Sequence, residues 1–509
     1  MSETIPNYRI QGATGDWEVV IGLEVHAQVT SKSKLFSGAA TAFGAEPNSQ
    51  VSLVDAAMPG MLPVLNRECI RQAVRTGLAI DAQINKYSRF DRKNYFYADL
   101  PQGYQISQLF HPIVGEGHID VVPDDKRPDM TKRIGVERIH VEQDAGKLMH
   151  DQHPTMSYVD LNRSGVALME IVSRPDMRSP AEAGAFLKKL RQILRNVGSC
   201  NGNMQEGSMR ADVNVSVRKP GDEFGTRTET KNVNSIRFVM SVVEQEARRQ
   251  VGVIEDGGKI IQETRLYDPD RNETRSMRSK EDAHDYRYFP DPDLLPLELS
   301  ENFLAECKGS MPEGVDEREL RYVMTLGLTL YQARELNKEV GWARFFDKVV
   351  ENLSEIIVRP IQDLARAAAN LVMNEIFGYL SGLGIHEGID EKTGEPVGCL
   401  STMQAAKLLK LRIDGTLSAP LYKELFGVIV STPDDPEVVA REKGFVQTSD
   451  TGAIDAAVDA VLAANPDKVE QYRGGKEALF GFFVGQTMKA MQGKANPQLI
   501  NAAIKAKLG

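Results

Sequence analysis

A stretch of strict alternation at residues 19–29 constrains the fold of this 509-residue chain more than any other feature. The odd positions are Val, Ile, Leu, Val, Ala and Val, whereas Glu24, His26 and Gln28 occupy even positions. Because successive side chains of a β-strand point to opposite faces, the segment predicts a strand with one apolar and one polar face. Side chains two positions apart on a strand stand about 6–7 Å apart, a gap that accommodates a metal ion or a phosphate.

The same alternation recurs in later segments and predicts further strands with one polar face. Those faces carry acids, amides, imidazoles and guanidinium groups: Arg138, His140 and Glu142; Arg210, Asp212, Asn214, Ser216 and Arg218; Arg227, Glu229 and Lys231; and Glu170 alone within an apolar run. Antiparallel sheets often have one solvated face, so each strand by itself fits a plain surface equally well. Solvated faces, however, are usually built from Lys, Glu and Thr, whereas this set suits metal and phosphate chemistry.

Bulk composition limits the class of protein. The length predicts about three domains. The net charge of −10 argues against a general, sequence-blind nucleic-acid binder, although it leaves room for a local basic patch. The four cysteines form no CxxC pair, which indicates neither a zinc knuckle nor a disulfide framework. The N-terminus has no signal-peptide core and no apolar stretch of about 18 residues occurs, so we expect a cytoplasmic protein without a membrane span.

The periodicity of the chain changes near residue 300. Residues 1–300 alternate with period two around a few helices, which predicts an α+β domain built on an antiparallel sheet. After the Pro-rich segment 290–296 the period becomes about 3.6, and segments such as 320–333 and 361–380 predict helices. We therefore expect an all-α helical domain at 301–440 and a small helical tail at 441–509.

The tail carries an asymmetric charge. From residue 471 to the end it has a net charge of +5, from six basic residues and one acid. Such a basic segment is typical of an electrostatic contact with RNA, although an ordinary terminal helix fits the composition as well.

Several familiar catalytic motifs are absent from the sequence. It has no GxxxxGK[ST] loop, no GxGxxG after a predicted strand and no GxSxG elbow, which excludes an ordinary P-loop ATPase and an obvious hydrolase. What remains are carboxylates close to basic residues, in segments 91–97 and 142–147. Phosphoryl transfer needs oxygen ligands for Mg²⁺ and cations for the phosphate charge, and these segments supply both. Segment 91–97 equally fits an edge strand with packed rings and solvated charges.

An ordered set of motifs over nearly the whole chain resembles the B-subunit family of the tRNA-dependent amidotransferases. The motifs are GLEVH at 22–26, FGAEPN at 43–48, FDRKNYFY at 90–97, GYQISQ at 103–108, DAGK at 144–147, DLNR at 160–163, EGSMR at 206–210, DYRYFP at 285–290 and the tail sequence GKANP at 493–497. Any one of them alone is a weak signal, but their shared order is highly specific.

The resemblance implies an activity and a set of partners. Proteins of this kind use ATP and Mg²⁺ to phosphorylate the side-chain carboxylate of Glu-tRNA(Gln) or Asp-tRNA(Asn). Ammonia from the amidase, which is the A subunit, then displaces the phosphate, and the assembly is braced by a small C subunit. The first domain is called the cradle, and the tail contacts the tRNA. The alternative is a non-catalytic, tRNA-binding scaffold protein whose polar sheet face is only a solvated surface.

The resemblance also implies roles for particular residues. His26, Glu142 and Glu170 are expected to hold the metal, although imidazole is softer than Mg²⁺ prefers and also suits Mn²⁺ or Zn²⁺. The remaining expected roles are catalysis by Glu24, Glu142 and Asp212, ATP or phosphate binding by Lys93, Lys147, Arg210 and Asn214, and tRNA binding by Arg473, Lys476, Lys489 and Lys494.

Overall fold

The structure is a computed structural model that describes residues 8–124, 126–127, 129–279, 286–385, 388, 390, 396–445, 451–491, 495 and 497–509. The chain divides into two compact units, residues 1–315 and 316–509. Among the described residues, no helix combines the length and the hydropathy needed to cross a lipid bilayer.

The first unit mixes strands and helices, as the sequence predicts. Its strands are β1 Ile10–Gly12, β2 Gly15–Gln28, β3 Tyr87–Ser88, β4 Asp91–Asn94, β5 Tyr104–Ser107, β6 Gly117–Val121, β7 Lys132–Gln143, β8 Lys147–Met149, β9 Tyr158–Asp160, β10 Ala167–Ser173, β11 Met209–Arg218, β12 Thr228–Val233, β13 Glu263–Asp268, β14 Glu273–Ser279, β15 Phe289–Pro290 and β16 Leu297–Glu298. Its helices are α1 Arg67–Ala79, α2 Pro180–Val197, α3 Ile236–Glu255 and α4 Glu301–Gly309.

The main sheet runs in the order β14-β13-β12-β11-β2-β10-β7-β6, with β1 paired to the start of β2. Neighbouring strands are antiparallel except for β12 and β13, which are parallel. The strand predicted at residues 19–29 lies at the centre, between β10 and β11. Strands far apart in the sequence therefore place their polar side chains next to those of β2.

The apolar face of the sheet holds the core of the unit. The odd-numbered residues of β2 from Val19 to Ala27 are buried, as their alternation predicts, and helices α2 and α3 pack against this face. Helix α2 begins where Ser179 accepts a hydrogen bond from the Glu182 N–H, and it ends at Gly198, whose φ is 73°. A fully buried side chain such as Phe186 contributes roughly 1.5–3 kcal/mol to stability.

Two β-bulges interrupt the alternation. In β7, Val136 pairs with Ser173 and Arg138 pairs with Val172, so Glu137 is an extra residue. In β12, the partners of Ala211 and Val213 are three positions apart instead of two, and Asn232 adopts a φ of 57°. Both irregularities lie within four residues of a polar side chain on the sheet face.

A small three-stranded sheet, β15-β4-β5, lies beside the polar face of the main sheet, where β5 packs against β7. Segment 91–97 contributes β4 to this sheet, so a strand is present as predicted, but it is the central strand between β15 and β5, and its expected edge position is wrong. This arrangement buries His140 and Glu142 on β7.

The second unit is helical, as predicted. Its helices are α5 Val315–Met324, α6 Leu330–Asn337, α7 Val340–Ile356, α8 Ile361–Asn370, a π-helical turn Leu371–Ile376, α9 Phe377–Gly382, α10 Thr402–Ile413, α11 Ala419–Ile429, α12 Pro436–Glu442, α13 Thr451–Ala463, α14 Pro466–Arg473, α15 Leu479–Ala490 and α16 Pro497–Leu508.

One predicted helix, residues 320–333, is wrong as a single element. It is broken between α5 and α6, where Gly327 has a φ of 67° and Thr329 begins the next helix with a capping box to Gln332. Residues 322–445 and 454–508 contain separate hydrophobic clusters. The domain limits expected at 300 and 440 stay predictions.

Candidate active site

Three strands bring the predicted metal residues together on the polar face of the main sheet. Glu170 on β10 is paired in register with His26 on β2, and Leu168, two residues earlier, is paired with Glu142 on β7. His26 Nε2 lies 3.4 Å from Glu170 Oε2 and 3.9 Å from Glu142 Oε1. One donor atom from each residue lies within 4.8 Å of those of the other two. The cluster therefore has the size of a single cation site.

A second imidazole, that of His140, lies against the same two carboxylates. Its Nε2 is 3.2 Å from Glu170 Oε2 and 3.6 Å from Glu142 Oε2. The sequence placed His140 on the same strand face as Glu142, but it was not among the expected site residues. The signal for it was its spacing of two positions from Glu142.

The charges in this cluster stabilise one another. Burial opposes protonation of His140, but Glu170 and Glu142 raise its pKa to about 9. The pKa of His26 is also raised, because Glu170 outweighs the cost of burial. Conversely, burial opposes the negative charge of Glu170, yet His140 and His26 hold its pKa well below the usual value. Two carboxylates thus stay ionised in a largely buried place, where the imidazoles balance their charge, and a divalent cation bound there would displace the proton from His26 Nε2.

The donor chemistry fits a divalent cation. The carboxylates of Glu142 and Glu170 provide hard oxygen ligands, and His26 provides a nitrogen. The Nδ1 atoms of His26 and His140 are buried and have no hydrogen-bond partner among the described residues. Each ring therefore meets charged partners only through Nε2, the atom that faces the cluster.

Glu142 and its neighbour Gln143 differ in environment. Glu142 Oε2 accepts a hydrogen bond of 3.0 Å from Ser107 Oγ and lies in the cluster. The Gln143 side chain instead donates to the Tyr104 carbonyl oxygen at 3.5 Å, on the small sheet. Of these two neighbours, Glu142 is therefore the one whose side chain lies in the cluster.

Lys93 on β4, which the resemblance predicts to bind phosphate, lies next to the cluster. Burial opposes its charge, but Glu142 and Tyr288 hold its pKa above the usual value. Its Nζ also lies 5.0 Å from the centre of the Tyr286 ring. A cation therefore stands beside the carboxylates, supported by aromatic rings.

A second group of acids lies on the other side of β2. Oxygens of Glu24, Asp212 and Glu229 lie within 4.8 Å of one another. Lys231 Nζ is 3.0 Å from Asp212 and 3.1 Å from Glu229. Asn214 donates a hydrogen bond of 3.0 Å to Glu24. Glu229 and Lys231 were predicted on a shared strand face but were not among the expected site residues.

Two of the expected phosphate-binding residues have other surroundings. Arg210 is paired in register with His26, but its guanidinium is bonded to the buried Asp144 at 3.2 Å. Lys147 lies exposed on β8, which pairs with β9 in a separate two-stranded sheet. We find no contact of Lys147 with the cluster among the described residues.

The tail residues expected to bind tRNA differ in their contacts. Arg473 donates to the carbonyls of Leu508 at 3.4 Å and Lys507 at 3.3 Å, at the end of α16. Lys476 donates to Gln471 at 3.1 Å. Lys489 lines a shallow surface hollow between α13 and α15. Lys494 lies outside the described residues.

Comparison with known proteins adds two family matches. Residues 19–305, which include every residue of both acid groups, match the GatB/GatE catalytic domain. Residues 344–508 match the GatB domain.

Curated relatives match along nearly their whole length. The B subunit of the aspartyl/glutamyl-tRNA(Asn/Gln) amidotransferase of Novosphingobium aromaticivorans is 69% identical over 502 residues, covering 99% of each chain. The protein of the same name in Rhizorhabdus wittichii is 67% identical, covering 99% of this chain and 100% of the relative. That of Erythrobacter litoralis is 65% identical, covering 99% of each. The chain therefore belongs to the GatB/GatE family of amidotransferase B subunits, the family that its ordered motifs predict.

Proposed function

We propose that this chain is the ATP-using ligase subunit of a tRNA-dependent amidotransferase. With ATP and Mg²⁺ it phosphorylates the side-chain carboxylate of Glu-tRNA(Gln), Asp-tRNA(Asn) or both. It then hosts the attack of ammonia that the amidase, or A subunit, supplies, in a cytoplasmic complex with a small C subunit. The observation that carries the proposal is the cluster of His26, Glu142 and Glu170 beside Lys93, within the stretch that matches a catalytic domain.

The residues that would hold the metal are His26, Glu142 and Glu170. When bound, Mg²⁺ supplies positive charge that offsets the charge of the reacting phosphate oxygens. Lys93 supplies a second cation at the same place. Its side chain is half-buried beside Glu142, so fewer water molecules compete for the phosphate there than on an open surface.

Glu24 suits the proton transfer of the second step. When ammonia attacks the acyl phosphate, a C–N bond forms, the C–O bond to phosphate breaks, and the nitrogen must lose a proton. Burial raises the pKa of Glu24, helped by the nearby Glu170 and Glu229. A carboxylate with a raised pKa is a better proton acceptor, so Glu24 is the group that takes this proton, oriented by Asn214.

Phosphoryl transfer by the complete complex tests the proposal. Transfer from γ-labelled ATP to Glu-tRNA(Gln) is measured without glutamine, for wild type, Glu142→Gln and Glu170→Gln. The matched control is Glu223→Gln, an exposed glutamate in a loop of the same unit. We expect both site variants to lose transfer while tRNA binding and the control stay unchanged. Unchanged transfer in both site variants would support the non-catalytic scaffold instead.

A second proposal concerns the tail. The net charge of +5 after residue 470 supports tRNA binding by this segment, with Lys489 at an open hollow as its best-placed residue. Arg473 and Lys476 already donate hydrogen bonds within the tail, so only their remaining N–H groups can bind tRNA.

A further inference from the structure

Lys231 on β12 is a cation that the steps above do not use. Its Nζ is bonded to Asp212 and Glu229, whose side chains are only 7% and 15% exposed, whereas the Lys231 side chain is 42% exposed. An ammonium group has three N–H donors. The two carboxylates therefore accept hydrogen bonds from two N–H groups of Lys231, and the third N–H group remains for a ligand on the exposed side.

The backbone fixes this lysine in place. The bulge after Lys231 lets the N–H of Asn232 donate to Asp212 Oδ1 at 2.8 Å, so consecutive residues bind both oxygens of one carboxylate. Asn232 has a φ of 57°, a left-handed conformation that asparagine adopts more readily than most other non-glycine residues. Bulges of this kind commonly redirect a side chain next to an active site. Lys231 is thus more firmly placed than an ordinary surface lysine.

The position of Lys231 complements that of Lys93. Lys93 lies beside Glu142 and Glu170, on the β7 side of His26. Lys231 starts from β12, two strand spacings or about 10 Å from β2, and leans toward β2 because it reaches Asp212 on the strand between them. Lys231 on the main sheet and Lys93 on the small sheet next to β7 therefore flank the cluster from opposite sides.

We propose that Lys231 is a further catalytic residue, whose ammonium binds an oxygen of the phosphoryl group as it passes from ATP to the aminoacyl carboxylate. The inference rests on the proposed function. Charge is spread over the phosphoryl oxygens during transfer, and a fixed cation stabilises that charge without reorganising. The γ-phosphate bond to ADP breaks and the bond to the carboxylate oxygen forms, while Lys231 keeps its proton throughout.

Single-turnover transfer of labelled phosphate from ATP to Glu-tRNA(Gln), in the complete complex, tests this role. We expect Lys231→Met to slow transfer about 100-fold to 1,000-fold, the usual effect of removing one donor to a developing charge. The transfer rate of Lys231→Arg, which keeps the charge, should lie between those of wild type and Lys231→Met. Affinity for tRNA should stay at the wild-type value, and the melting temperature should fall less than that of the control variant Lys132→Met, because Lys231 is the more exposed of the two lysines.

The matched control is Lys132→Met. Lys132 also pairs with a buried carboxylate of the same unit, Glu182 at 2.6 Å, but lies at the opposite end of β7 from the cluster. Lys132→Met should leave the transfer rate unchanged. The change in its melting temperature measures how much stability the loss of such an ion pair costs.

Three results would overturn the inference. Transfer by Lys231→Met close to the wild-type rate would show that the ammonium does not contact the phosphoryl group. A slow variant that also melts as early as Lys132→Met, or earlier, would show a structural ion pair. No transfer by the wild-type complex would overturn both the proposed function and the role of Lys231. Transfer by the wild-type complex together with an active Lys231→Met would overturn only the catalytic role of Lys231.

Discussion

A buried ion pair between Lys34 and Asp55 allows a quantitative prediction about the first unit. The Lys34 side chain is 0% exposed and that of Asp55 is 3% exposed, and their charged atoms are 3.0 Å apart. Lys34 also donates to the Leu161 carbonyl at 3.2 Å. Asp55 accepts further hydrogen bonds from Ser37 Oγ at 3.1 Å and Ser52 N–H at 2.8 Å. The pair thus ties residues 34–55 to a distant loop.

The loss of folding stability depends on whether one charge of the pair or both are removed. Burial lowers the pKa of Lys34 despite the attraction of Asp55, so desolvation outweighs the pairing. Lys34→Met alone leaves the carboxylate of Asp55 buried without a counter-charge, and should cost about 3–5 kcal/mol. Lys34→Met combined with Asp55→Asn removes both charges and keeps an acceptor for Ser52, so it should lie within about 1 kcal/mol of wild type.

Urea unfolding measures this difference in a Trp342→Phe background. That substitution leaves Trp17, which is buried in the first unit, as the chain's only tryptophan and therefore as a probe of that unit. The expected double-mutant coupling is at least about 2–4 kcal/mol, because the cost of Asp55→Asn alone, which leaves Lys34 buried without a counter-charge, adds to it. Additive effects, with a coupling below about 0.5 kcal/mol, would refute the reasoning that desolvation dominates this pair.

Three further predictions follow from other parts of the structure. The raised pKa of His140 stabilises the metal-free protein, fully so below the unfolded-state pKa of about 6.5. This stabilisation is lost as the pH rises through about 9. The melting temperature of wild type should therefore fall between these pH values, and that of His140→Gln should change less. Asn232→Val should lower the free energy of unfolding by about 1–2 kcal/mol in urea titrations, whereas Asn232→Gly should not, because glycine tolerates the positive φ. Removal of residues 441–509 should weaken tRNA binding in filter assays and leave glutaminase activity of the complex intact; equal affinity would contradict a role for the tail.

Much of the first unit could be predicted because alternation is a local signal. The apolar and polar faces of β2 and β11 follow directly from their sequences, and both strands are regular beside each other over their whole pairing. The single acid in the apolar run 168–172 also faces the polar side, where Glu170 meets His26. These strands needed no information from the rest of the chain.

What could not be predicted depends on contacts between distant segments. The pairing of Arg210 with Asp144 joins β11 to a turn 66 residues earlier, and no local pattern reports it. The break at Gly327 was hidden because apolar spacing continues across it, while the turn and the capping box at Thr329 decide the boundary. The pairing of Lys231 with Asp212 likewise depends on a bulge that alternation cannot reveal.

The bulge at Glu137 explains how one strand supplies both core and site. Before it, Ile134 and Val136 point into the core, so unbroken alternation would turn His140 and Glu142 into the core as well. The extra residue shifts the phase, so that Ile139 and Val141 are buried in the core and the imidazole and carboxylate reach the polar face. Because a one-residue shift exchanges the two faces of a strand, the cluster exists only through this insertion. The candidate active site therefore depends first on the register of β7, because the register decides whether its imidazole and carboxylate reach the polar face.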